Sequence, residues 1–214
     1  MKALIFKDLF LLKRKKMIIS VIINILLTIP IGLMFKNVYA VALMTCLSYP
    51  VGASTFLGEI MEVDEKTDFD KIAISLPLTK NEIVMSKWIS SSVFLLIHVV
   101  IGAIFGIVHN SIYQYTSLQN IMLIVFIGFL VGILLLSINN VGFFLFGSKK
   151  GTYVYIIVLI LSVVGYILIY FGIDYTSLLT LSVPLLLVLG VLITFLICAM
   201  NYFITLKIFI KRYS

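Results

Sequence analysis

Six apolar runs, at about residues 17–35, 39–58, 84–108, 119–146, 152–171 and 178–206, carry no Asp, Glu, Lys or Arg through their cores. A helix of about 20 such residues crosses the ~30 Å hydrocarbon layer of a bilayer. Inside that layer every backbone N–H and C=O must find its partner within the protein, which a helix achieves alone. The chain is therefore expected to be all-α and polytopic: one transmembrane domain over 1–214, with six spans and a cytoplasmic stretch at 59–83. Composition agrees, since 62% hydrophobic against 12% charged residues, with mean hydropathy +1.21, leaves far more apolar surface than a soluble domain can hide. Pro30, Pro50 and Pro184 fall inside runs that continue on both sides, so they are expected to kink their helices rather than end them. Cys46 and Cys198 lie in apolar runs and read as small buried hydrophobes.

Charge placement sets the topology. With both ends of the chain inside, 15 of the 16 Lys and Arg residues fall in cytoplasmic segments, and only Lys36 lies outside. The net charge of +7 is thus a topological signal and not a nucleic-acid patch. Residues 1–16 mix six basic residues with an untidy apolar arc, Leu4 and Leu11 falling on its polar side, and predict an interfacial helix leading into the first span. A cleaved leader is the competing reading, but Met17–Phe35 exceeds the 7–15 residues of a signal core.

Several activities are excluded or disfavoured by what the runs lack. Mid-membrane carboxylates and lysines, which ion-coupled transport usually requires, are missing. No G-x-x-x-x-G-K-[ST] loop occurs; Gly147-Ser-Lys-Lys-Gly-Thr152 has the wrong order and reads as a tight cytoplasmic turn. Gly52-Ala-Ser54-Thr55 resembles the nucleophile motif of rhomboid-type intramembrane proteases, except that Thr55 replaces its second glycine. Small residues around a serine in a helix more often mean close packing. His98 and His109 form no H-E-x-x-H pair, so neither a catalytic nor a metal site is expected. Asn139 and Asn140, adjacent amides that cannot face one helix together, are the best candidates for a translocation path. Gly102-xxx-Gly106 and Gly128-xxx-Gly132 predict close helix packing, within one chain or across a dimer.

One stretch does not belong in a membrane. Residues 59–88 hold seven of the nine carboxylates. Thr67 and Asp70 suggest a helix start, after which Phe69, Ile72, Ala73 and Leu76 fall at i, i+3, i+4 and i+7 on one face. Pro77 ends that short helix by biasing Leu76 away from helical angles. Thr79 and Glu82 then form the S/T-x-x-E pattern of a capping box, with Leu78 and Ile83 positioned as a hydrophobic staple. The surrounding carboxylates are expected to be solvated and individually weak.

Over Ser75-Leu-Pro-Leu-Thr-Lys-Asn-Glu-Ile-Val-Met-Ser-Lys-Trp88 the chain resembles the type-two ABC transporter permeases, especially the compact six-span bacterial group. Lys80 and Trp88 stand where Arg and Tyr are frequent. Lys7-Asp-Leu-Phe before a basic run is similar too. The resemblance implies an exporter permease that dimerises, with itself or a relative, in the cell membrane. It also implies separate ATPase subunits that carry ATP and Mg²⁺, so no cofactor is expected on this chain. A coupling helix between spans two and three would dock in an ATPase cleft, here Phe69, Asp70, Ile72, Ala73 and Leu76, followed by the junction Pro77, Thr79 and Glu82. Some relatives move amphipathic peptides. A non-transporting anchor or immunity-type component with the same cytoplasmic handle is the alternative.

Overall fold

The structure, a computed structural model, describes residues 1–171 and 182–213. Every element among them is helical. In order these are α1 (Lys2–Phe10), α2 (Lys15–Met34), α3 (Val38–Leu43), α4 (Tyr49–Lys66), α5 (Phe69–Ser75), α6 (Lys80–Tyr113), α7 (Leu118–Tyr170) and α8 (Val183–Arg212). By length and composition, four of the described helices can cross a membrane: α2, α6, α7 and α8.

α3 and α4 are one continuous rod. Between them Met44–Ser48 widens to a π-helical turn. Pro50 has no N–H to return to the preceding turn, and a π turn just before it re-routes the freed carbonyls without ending the helix. The rod then runs on to Lys66, well past the boundary near residue 58 drawn from hydropathy. Pro30 stands inside α2 as expected. Pro184 does not kink a helix: it occupies the first turn of α8, where its missing N–H has no intrahelical partner to lose. Residues 178–181 of the sixth predicted run lie outside the described residues.

α7 is two helices joined at a single residue. Gly147 adopts φ +78° and ψ −179°, a conformation closed to side chains with a Cβ. The two arms fold back on one another: a Cβ built on Gly151 would lie 2.8 Å from the Phe143 Cα, and one on Gly142 would lie 2.8 Å from a Val154 methyl. In a straight helix residues 143 and 151 would be about 12 Å apart, so the chain reverses at Gly147. The small turn expected at 147–152 is thus narrower than its sequence suggested. Gly128 approaches the Thr45 carbonyl, so its close packing is made within the chain.

A continuous core joins Leu4 and Leu11 of the N-terminal segment to Met17, Phe56, Ile60, Ile83, Phe144 and Phe209. At the opposite end His109 is buried. Its ring nitrogens lie 2.9 Å from the Tyr115 hydroxyl and 3.0 Å from the Gly32 carbonyl. Tyr166 donates to the Tyr39 carbonyl there at 2.8 Å. The segments holding most of the lysines therefore gather at one end: α1, the end of α4, α5, the start of α6, the Gly147 joint and the end of α8.

Candidate functional site

The crowded end is built from the start of α6 outward. Thr79 accepts a hydrogen bond from the Glu82 N–H at 3.2 Å, and the Glu82 carboxylate accepts one from the Thr79 N–H at 2.9 Å. Together they satisfy two donors that a helix N-terminus otherwise leaves unpaired. Started this sharply, α6 runs 34 residues, about 50 Å, and carries Lys87 into the bundle one turn beyond Ile83.

Lys87 is 2% exposed, yet charged groups surround it. Its ammonium pairs with Asp64, from the end of α4, and lies 3.8 Å from Asp70 on α5. Asp64, 1% exposed, also receives Lys7 of α1 at 2.5 Å, and Lys7 reaches Asp8 at 2.9 Å. Ser90 Oγ faces the second Asp8 oxygen at 3.5 Å. The Tyr213 hydroxyl donates to Asp70 at 3.3 Å, and Lys80 donates to the Tyr213 carbonyl at 3.0 Å. Three carboxylates and two ammonium groups thus tie together α1, α4, α5, α6 and the residue after α8. Burial pushes the Asp8 carboxyl above its ordinary value, with Lys87 and Lys7 pulling the other way. Charges in such a setting persist only when paired and hydrogen-bonded.

This network turns α5 about its axis. Asp70 and Ala73 are buried, and Phe69 is half-buried beneath the Lys7 ammonium, which sits 3.7 Å above its ring. Ile72 and Leu76 remain 51% and 43% exposed, next to an exposed Pro77. The single face expected from Phe69, Ile72, Ala73 and Leu76 is therefore split. The pull of Lys87 on Asp70 rotates the inner face toward Asp70 and leaves Ile72 and Leu76 outside. Thr67 does not start α5 either. It caps the end of α4, its hydroxyl donating back to the Val63 carbonyl at 2.9 Å, and Asp68 turns the chain in the left-handed region at φ 50°.

Sequence reasoning missed Asp8, Asp64 and Lys87, having read the central carboxylates as solvated. The signal was in the helical period. Asp64 continues the buried stripe of Phe56, Leu57, Ile60 and Met61, and Lys87 lies between Ile83 and the buried Ser90, Ser91 and Phe94.

Beside this cluster Glu65 reaches the Gly147 joint. Its carboxylate accepts the Ser148 N–H at 2.6 Å and also the Ser148 hydroxyl. A carboxylate there suits the positive end of the second arm's dipole. A cavity of about 760 Å³ opens nearby, bordered by Glu59, Glu62, Lys66, Phe143, Lys149 and Tyr155 among others. Asn139 and Asn140 do not line it. Both are sealed inside the packing of α7, where Asn140 Nδ2 donates to the Leu136 carbonyl at 3.0 Å.

The profile of the ABC-2 family transporter proteins matches residues 3–210. The chain belongs to that family. It is an ABC-2 type permease, a membrane transport component, and membership implies association with an ABC ATPase and residence in a lipid bilayer. No curated protein and no solved structure matches the chain.

Proposed function

We propose that this permease is the membrane subunit of an ATP-driven exporter, and that α5 is the element through which a separate ATPase moves it. One observation carries the reading. α5 is locked to four other segments through Asp70, Ala73 and Phe69, yet it keeps Ile72 and Leu76 uncovered. Apolar side chains of this size strengthen association when a partner buries them, by roughly 1.5–3 kcal/mol each. A lever needs both properties, a grip for the partner and a stiff attachment to what it moves.

In this reading the α2, α3–α4 and α6 rods, the two arms of α7, and α8 are the six spans. The Lys87 end then faces the cytoplasm, as the positive-inside bias requires. ATP and Mg²⁺ bind on the ATPase, two permease chains pair, and the cargo is amphipathic or hydrophobic, such as a peptide.

The test is a pull-down of the partner ATPase by wild type, Ile72→Asp and Leu76→Asp at equal expression, with cargo movement measured alongside. Both variants should lose ATPase and transport while inserting normally, because neither side chain packs in the core. Retention of the ATPase with transport intact would sink the proposal. Retention of the ATPase in a wild type that moves no cargo would instead favour a non-transporting anchor.

A further inference from the structure

We infer that Tyr213 is a positioning residue for α5, and that Arg212 and Tyr213 together form the strut through which movement of α5 reaches α8 and the first arm of α7. The inference rests on the reading of α5 as the element the ATPase moves. α4 and α6 are joined to α5 by short links of chain and follow it directly. α8 is remote in sequence, with Tyr213 lying 143 positions beyond Asp70, so it follows through packing and hydrogen bonds alone.

The contact begins at Asp70. Its Oδ2 accepts the Tyr213 hydroxyl at 3.3 Å. Its Oδ1 is buried, accepts no hydrogen bond among the described residues, and lies 3.8 Å from the Lys87 ammonium, which sits closer to Asp64. A buried carboxylate needs hydrogen bonds as well as a counter-charge, so Tyr213 supplies what Lys87 leaves short. This contact keeps the Asp70 side of α5 inward, and with it the Ile72 and Leu76 side outward.

Tyr213 is itself held from three directions. Lys80, in the first turn of α6, donates to its carbonyl at 3.0 Å. Its ring packs on that of Phe209 with centroids 4.9 Å apart, and Phe209 meets Phe144 edge to face at 6.0 Å. Arg212 donates to the Phe144 and Leu145 carbonyls at 2.6 and 3.1 Å. The break at Gly147 takes away the helical donors of those carbonyls, and a guanidinium there also suits the negative end of the first arm's dipole. The path is thus continuous from Asp70 through Tyr213 and Phe209 to Phe144, with Arg212 fixing its far end. Close-packed side chains pass a displacement on instead of absorbing it.

The experiment uses the full chain in lipid nanodiscs, with amide exchange as the readout. Tyr213→Phe removes one hydroxyl and keeps the ring. It should speed exchange over residues 69–75 about tenfold, the low end for a hydrogen bond to a charged group because this bond is long. The capped start of α6 should not change. In an Asp70→Ala background the same substitution should add nothing. With the partner ATPase bound, ATP and Mg²⁺ should alter exchange over residues 140–146 in wild type. That response should be lost in Tyr213→Phe and in Arg212→Ala, while both retain the ATPase. Unchanged exchange over 69–75 in Tyr213→Phe, or an intact ATP response in the two variants, would overturn the inference. If Ile72→Asp keeps the ATPase while Tyr213→Phe still loosens α5, the positioning role stands and the ATPase reading alone falls.

Discussion

Lys87 and Asp64 form an ion pair whose side chains are 2% and 1% exposed, at the point where α4, α5 and α6 meet. Removing one member of a buried pair leaves the other charge uncompensated, at a cost of roughly 3–5 kcal/mol. Lys87→Met and Asp64→Asn should each lower thermal stability in detergent by that order. Asp64→Asn should be the worse of the two in coupling, because Asp64 also holds Lys7. Combining Lys87→Met with Asp64→Leu should cost less than the sum of the two single losses, since neither of these two charges is then left facing the gap of the other. Additive losses in the double variant would show the pair to be unimportant.

Asp8 gives the fold a dependence on pH. Its folded-state value is raised above 3.8, chiefly by burial. A raised carboxyl contributes stability that is complete below the unfolded-state value and is lost as pH rises through the folded-state one. Asp8→Asn should therefore flatten the fall in melting temperature between acid and neutral pH. Parallel pH profiles for wild type and Asp8→Asn would contradict this.

Gly147→Ala meets two obstacles. Its φ of +78° with extended ψ is strained for any side chain, by about 1–3 kcal/mol, and the new methyl would press on Glu65 Oε1 at 2.6 Å. Gly147→Ala should therefore lower thermal stability in detergent by that order relative to wild type. An unchanged melting temperature would mean that the reversal tolerates a side chain.

Lys36 tests the orientation. A cysteine there, in a chain lacking Cys46 and Cys198, should react with an impermeant reagent from outside intact cells. Cysteines at Lys66 and Lys149, both at the Lys87 end, should not. Labelling at Lys149 would defeat the six-span arrangement.

The parts of this architecture written in short-range grammar were legible. Thr79 and Glu82 need only each other and one helical turn, so the start of α6 could be read from four residues. The helical class followed from the bilayer itself. Relationships between distant residues were not legible in the same way. Nothing near Asp70 announces that Lys87 and Tyr213 will face it, and this long-range pull decides which side of α5 is outside. The Gly147 joint likewise depends on Glu65, 83 positions before the Ser148 that it caps. The reading of the central charges had a remedy, because Asp64 and Lys87 sit in phase with buried apolar neighbours. Counting a charge as solvated because its segment is polar ignored that phase.

A reversal only one residue long has no slack. Adding a single residue between Gly147 and Gly151 would turn the second arm by about 100° about its own axis. Gly151 would swing away from Phe143, and a larger side chain would arrive where a Cβ already has no room. In most membrane proteins a connection between hydrophobic helices is where length varies freely and tags are inserted. Here it is where the chain keeps its spacing most strictly, and the far arm inherits its rotational setting from Gly147.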